Sequence, residues 1–262
     1  MEKIELYRGG VYVDNMTSIG RLQKLASSIR PVKTEFPLIR IGSKNDGGYL
    51  VPDDLSDISV CFSPGVDVNS SFENDLLKKT GINSHLADFS VDAPPVDFVP
   101  KSFIKKFLGP LDNDKHITLQ SWVEAQEEYK LQYDFILQMD IESGEYLTLI
   151  ATPEHVLRRF RIAVIEIHDV ASWAHPIFFN TVEAFFEKLL NNFYVVHNHP
   201  NNHGGLLDLN GFLAPQFFEI TLIRKDRANV LGYSDEFPHP LDAPCYSPRA
   251  EMKLPNNWFG EH

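Results

Sequence analysis

The chain has 262 residues and a formal net charge of −12, from 36 acidic residues against 24 Lys plus Arg. With 43% hydrophobic and 12% aromatic residues it carries ample material for a core, which excludes general disorder. The acidic balance and the lack of a Lys/Arg cluster argue against nucleic acid as a partner, and no apolar run approaches the roughly 18 residues that span a bilayer.

In chain order, Thr17 to Arg30 has apolar residues at helical spacing and is closed by Pro31. The paired glycines of Asn45-Asp46-Gly47-Gly48-Tyr49 read as a tight hairpin tip. Residues 1–55 are therefore expected to form an N-terminal cap. Ile58 to Phe62 is β-prone and breaks at Ser63-Pro64-Gly65; a helix then opens at Ser70, where Ser70 and Glu73 have capping-box spacing, and Gly81 closes it. Strand, glycine turn and helix open a Rossmann-like half. Asn83–Asp88 is a second strand, and the Pro- and Phe-rich stretch from Ala93 to Pro110 has no clear period. A helix over Ser121–Lys130 precedes a buried strand over Phe135–Met139 ending at Asp140. A helix from Ser143 to about Ile150, a strand over Arg161–His168 and a helix over Ile177–Leu190 follow. Two strands, Phe193–His197 and Phe217–Ile223, close the set with no helical period between them, which predicts an antiparallel edge on a mostly parallel α/β sheet. Residues 56–226 form the core in this reading, and 227–262 an arm packed on it.

Cys61 and Cys245 give neither a disulfide framework nor metal-ligand spacing, and residues 1–6 lack the features of a signal peptide, so a reducing cytoplasm is expected.

Ligands of open α/β sheets sit outside the carboxyl ends of the strands. Polar groups stand at each predicted end: Gly65, Asp67 and Asn69; Asp88; Asp140 and Glu142; Glu166 and His168; His197, Asn198 and His199. Gly65 lets backbone approach a ligand and the helix start offers N–H donors, yet the turn is not Gly-x-Gly-x-x-Gly. That suits a ligand without pyrophosphate. Asp88 stands where an acid hydrogen-bonds ribose hydroxyls, or else caps a turn with Ser90. An adenosine ribose without pyrophosphate points to S-adenosylmethionine.

Four blocks, in order, resemble the FkbM-type methyltransferase family: Ser63-Pro64-Gly65-Val66-Asp67 through Phe72-Glu73, Ile136 through Glu145, Val164-Ile165-Glu166-Ile167-His168, and His197 through Asn202. The Arg40–Tyr49 segment resembles the stretch that precedes the fold in one branch of that group. The resemblance implies a class I methyltransferase fold, S-adenosylmethionine as donor, and an oxygen acceptor on a sugar or glycan precursor. It places Gly65, Asp67, Phe72, Glu73 and Asp88 along the donor, joined by Asn69, Gly48 and Tyr49, with Asp140 by the sulfonium or the acceptor. Ser143 stands where the family has Gly, and Gln138 where Lys is common.

A sugar hydroxyl needs a base or a metal near neutral pH. His168 and His197 are the candidate bases, with Asp140, Glu142 or Glu166 as orienting acids. Alternatively Asp140, Glu166 or His168 hold a divalent ion such as Mg or Mn. Asn198, Asn201 and Asn202 suit hydrogen bonds to an acceptor's hydroxyls. Phe107 is assigned to core and His116 to structure or solvent. The competing readings are a metal-dependent hydrolase and a non-catalytic binding module on the same fold.

Overall fold

The computed structural model describes residues 15–259. Seven strands share one sheet: β1 (Ile58–Pro64), β2 (Asn83–Ala87), β3 (Ser102–Ile104), β4 (Asp134–Met139), β5 (Phe160–Ile167), β6 (Phe193–Pro200) and β7 (Phe218–Arg224). Their order across the sheet is 3-2-1-4-5-7-6. Pairs within β3-β2-β1-β4-β5 are parallel, and β7 inserts antiparallel between β5 and β6 at one edge. The order reverses between β1 and β4, where such sheets open a crevice. This is the α/β class I methyltransferase arrangement.

Alternation along the strands explains why both faces are covered. Val60, Phe62, Phe135, Leu137, Ala163 and Ile165 point into the larger core, with α1 (Ile19–Ser28), α5 (Glu145–Ala151) and α7 (Pro176–Asn192). Cys61, Ile136, Ile162 and Val164 point the other way, toward Phe72 and Leu76 of α2 (Ser71–Thr80) and Ile41, Tyr49 and Val51. In α7 the buried Phe179, Val182, Phe185, Phe186 and Leu189 recur at helical spacing behind a proline in the first turn. Phe62 packs edge-on against Trp122 and Phe135 at centroid distances of 5.1 and 5.2 Å. Truncating a ring held this way costs about 3–5 kcal/mol.

The predicted hairpin is present: Leu38–Gly42 pairs antiparallel with Gly48–Pro52 over the α2 side of the sheet. The Ser70–Glu73 capping box is not. Ser70 makes no side-chain cap, and Glu73 turns inward to Ser63 of β1 instead. Gly81 does end α2, in the left-handed conformation. The predicted helix over Ser121–Lys130 starts two residues earlier and splits into α3 (Leu119–Glu124) and α4 (Glu127–Lys130). The stretch from Ala93 to Pro110 conceals β3, three half-buried residues too short to show a period. β6 runs on through Pro200, so Asn198 and His199 are strand residues, where the sequence predicts a loop. Past residue 226 the chain adds a strand, Val230–Tyr233, to Val32–Thr34 and then crosses the end of β6. No described helix is long and apolar enough to cross a membrane.

Candidate active site

A cavity of about 710 Å³ opens at the carboxyl ends of β1, β2 and β4. Gly65, Asp67, Asn69, Phe72, Glu73, Asp88, Asp140, Glu142 and Tyr49 all line it; Gly48 does not, its place being taken by Asp46 and Gly47. Val66, Val68, Ala87, Ser90, Phe107, Leu108, His116, Gln138, Ile141 and Gly144 complete the wall.

The floor is set by one close approach. Gly65 has φ +83°, and a Cβ there would overlap the carbonyl oxygen of Asp140 at the end of β4. Only glycine meets both conditions. From the same turn, the Asp67 amide donates to Asp88 Oδ2 at 2.9 Å. Ser90 donates to Asp88 Oδ1 twice, through its amide and its hydroxyl, each at 2.7 Å. Asp88 thus caps the turn and lines the cavity at once. A carboxylate has about four acceptor positions, so ribose hydroxyls can share it.

Beneath the cavity, Ser63 Oγ contacts both the Glu73 carboxyl and Gln138 Oε1, the latter at 2.8 Å; Gln138 Nε2 donates to the Tyr49 hydroxyl at 3.3 Å. A hydroxyl has one proton to give. Both Ser63 contacts are satisfied when Glu73 is protonated, the state that burial favours by raising its pKa.

The second cluster sits where β4 and β5 end. His168 Nδ1 lies 2.9 Å from Glu145 Oε1, which fixes Nδ1–H as donor to a fully buried carboxylate. Its Nε2 faces Asp140 at 3.7 Å, Glu142 at 3.6 Å and Glu166 at 3.9 Å. Burial works to lower the His168 pKa; the bond from Glu145 and the charges of Glu145, Asp140 and Glu142 outweigh it, so the net shift is upward. Asp140 is pushed up to about 7, chiefly by burial, against the opposing pull of His168. Its Oδ1 is buried with no hydrogen-bond partner. Backbone after it is strained: Glu142 and Ser143 have φ of 51° and 77°. Ser143 thus holds a positive φ, a conformation that favours glycine.

Several sequence assignments need correction. His197 does not reach this cluster; its Nε2 lies 3.0 Å from Asp242 of the arm, and it is absent from the cavity wall. Asn201 donates to Glu166 Oε1 at 3.0 Å. The Asn202 amide is spent on the carbonyls of Tyr246, Arg249 and Ala250, so it clamps the arm and has no donor left for an acceptor. Asn198 is buried in β6 and also absent from the wall. The sequence predicts a loop after His197; β6 instead continues through Asn198 and His199 to Pro200, and Asn201 and Asn202 follow just beyond its end. Of the metal candidates, Asp140 and His168 are grouped with Glu142, whereas Glu166 is turned to Asn201. Phe107 and His116, assigned to core and solvent, stand in the cavity wall with ring centroids 5.8 Å apart. Their strands, Phe107–Leu108 and His116–Ile117, pair only through two residues each, below any sequence signal.

No family model matches the chain, and no curated protein matches it. The FkbM-type resemblance therefore rests on the sequence blocks alone. Among solved structures it is similar to the Methanococcus jannaschii fibrillarin pre-rRNA processing protein, with 13% identity and a TM-score of 0.37 over 73% of this chain and 83% of that one. A fibrillarin/Nop5p complex gives 11% identity and a TM-score of 0.34, over 64% and 73% of the two chains. A putative ribosomal RNA methyltransferase from Plasmodium falciparum gives 12% and 0.32, over 68% and 90%. The expectation of no nucleic-acid partner is corrected here: two of these similar structures are of proteins named for rRNA processing or methylation. Whole-chain charge weighs against a broad basic face and does not govern what one cavity admits.

Proposed function

We propose that the chain is an S-adenosylmethionine-dependent methyltransferase acting on a hydroxyl, with a sugar or glycan precursor as the acceptor class. The observation that carries the reading is the cavity at the β1/β4 crevice, with a glycine turn at one side, Asp88 at the end of β2 and Asp140 on the floor. Its volume falls in the usual range for small-molecule sites. Asp88 and the amides around Gly65 would hold the donor's ribose and amino-acid portion, while Phe107 and Val66 offer apolar surface for its base. The oxygen preference rests on the acid–base cluster beside the cavity, and the sugar preference on the sequence resemblance.

When bound, the donor supplies an electrophilic methyl on a sulfonium. The residues orient it and manage one proton. Glu145 holds His168, which lies just outside the cavity wall, so that Nε2 is turned to Asp140 in the wall. An acceptor hydroxyl held beside them would give its proton to His168 Nε2 or to the Asp140 carboxylate as it took up the donor's methyl. Alignment supplies most of the rate in such a displacement.

A second reading has one observation behind it: Asp140, Glu142 and His168 can offer ligand atoms within 4.8 Å of one another. A divalent ion such as Mg or Mn there would acidify the acceptor hydroxyl in place of the base.

Calorimetry with S-adenosylmethionine and S-adenosylhomocysteine tests the donor assignment, and absence of binding by both overturns it. Labelled methyl transfer offered in parallel to sugars, glycans and RNA tests the acceptor class; label found in RNA alone overturns the sugar assignment. Turnover that survives EDTA excludes the divalent ion.

A further inference from the structure

Beyond the cavity, a polar row crosses three strands on one face of the sheet. Glu166 of β5 is registered opposite Glu219 of β7, and Glu219 opposite His199 of β6. All three are buried. Cys245 of the arm closes over the row, its Sγ 3.3 Å from Glu219 Oε1 and 3.9 Å from His199 Nδ1. His199 Nδ1 lies 3.3 Å from Glu219 Oε2. His199, Glu219 and Cys245 are absent from the cavity wall, and methyl transfer as derived above uses none of them.

A tetrahedral ion with ligands at about 2.0–2.3 Å sets N···O near ~3.3 Å, S···O near ~3.5 Å and N···S near ~3.6 Å. The observed separations lie within a few tenths of an ångström of these, the N···O one to Glu219 Oε2 and the S···O one to its Oε1, so either oxygen of the carboxylate is within reach of an ion there. The fourth residue fits the same pattern: His199 Nε2 lies 2.8 Å from Glu251 Oε1. Metal-bound histidines commonly donate their other ring N–H to a carboxylate, which fixes the tautomer and leaves Nδ1 free to ligate. Without an ion, the Glu219 and Glu251 carboxylates and the Cys245 thiol would share one buried imidazolium, a costly arrangement in low dielectric.

We propose that His199, Glu219 and Cys245 form a binding site for one divalent ion of the zinc class, with Glu251 orienting the histidine. Imidazole, thiolate and carboxylate together suit zinc and exclude Mg and Ca. The ion would join the arm to β6 and β7, with water in the fourth position. Binding displaces the thiol proton and any proton on Nδ1, so affinity falls as pH falls.

The test uses the full chain stripped of metal and titrated with Co²⁺. The expected result is one ion per chain, a thiolate-to-cobalt charge-transfer band, displacement by Zn²⁺ and a raised melting temperature. Cys245→Ser should remove the band. Glu251→Gln should keep it with affinity lowered about 10–100-fold, the usual effect of losing an outer carboxylate. His168→Ala should leave it unchanged, separating this site from an ion at Asp140. A folded parent chain that gives no thiolate band with millimolar Co²⁺ overturns the proposal, as does a band that survives in Cys245→Ser.

Discussion

Glu166 and Glu219 stand directly opposite each other on β5 and β7, with 5% and 4% of their surfaces exposed. Like charges in that relation destabilise a sheet. The structure offsets them unevenly: Glu166 accepts from Asn201, and Glu219 faces His199. Burial and the nearby Asp140 and Glu219 charges raise the Glu166 pKa well above the usual carboxylate range. Glu166→Gln, which keeps the shape and the Asn201 contact, should therefore be neutral or stabilising in urea denaturation at pH 8. A loss of more than about 2 kcal/mol, the scale of a buried bond to a charge, would mean that the carboxylate is ionised and needed.

Gly65→Ala should be severe. A left-handed alanine costs about 1–2 kcal/mol before any clash, and the Asp140 carbonyl cannot retreat without disturbing β4. The expected outcome is lower stability together with lost binding of S-adenosylmethionine, read by denaturation and calorimetry on the same preparation.

Ser143→Gly tests strain in the opposite sense. Serine holds φ 77° immediately after another residue of positive φ, so glycine should be tolerated or should stabilise by up to about 1 kcal/mol. A destabilised variant would show that the serine side chain contributes more than its backbone costs.

Stability should fall as pH rises through neutrality. Asp140 has a folded-state pKa of about 7, above its unfolded value near 3.9, so the folded chain binds the extra proton between those limits. His168, also raised, acts in the same sense: its stabilisation is present below about 6.5 and is lost as pH rises through the folded value. Asp140→Asn should flatten the slope between pH 5 and 8 in thermal or urea melts. An unchanged slope would place the titration elsewhere.

His168→Ala should lower turnover by roughly 10²–10⁴ with donor binding intact, as expected when a general base is lost. His197→Ala should leave the chemistry nearly unchanged and instead loosen the arm through Asp242. Proteolysis of the arm and single-turnover rates distinguish the two. Equal catalytic loss in both variants would contradict the separation of the two histidines.

The long buried strands, the glycine turn and the acids at strand ends were legible in the sequence because each leaves a local mark: an apolar run, a breaker, a charge at a boundary. Asp140 and Asp88 could be placed at the cavity on that basis. The His197–Asn202 block misled because its polar composition looks like a loop, whereas Asn201 is bonded to Glu166 of β5 and Asn202 to carbonyls of the arm some 45 residues away. Phe107, His116 and β3 carried no periodic signal, since two or three residues are too few for one. Cys245 showed no metal-ligand spacing because its neighbours His199 and Glu219 lie far back in the chain, on β6 and β7.

The contact between Gly65 and the Asp140 carbonyl divides the cavity into a fixed half and an adjustable one. Two crossovers of the sheet lock each other on the floor, and neither can shift alone. The facing wall is built from the hairpin tip at Asp46 and Gly47 and from the short pair carrying Phe107 and His116, none of which belongs to the seven-stranded sheet. The width and polarity of that wall can therefore change by editing those two surface pieces, while the Gly65–Asp140 floor stays as it is.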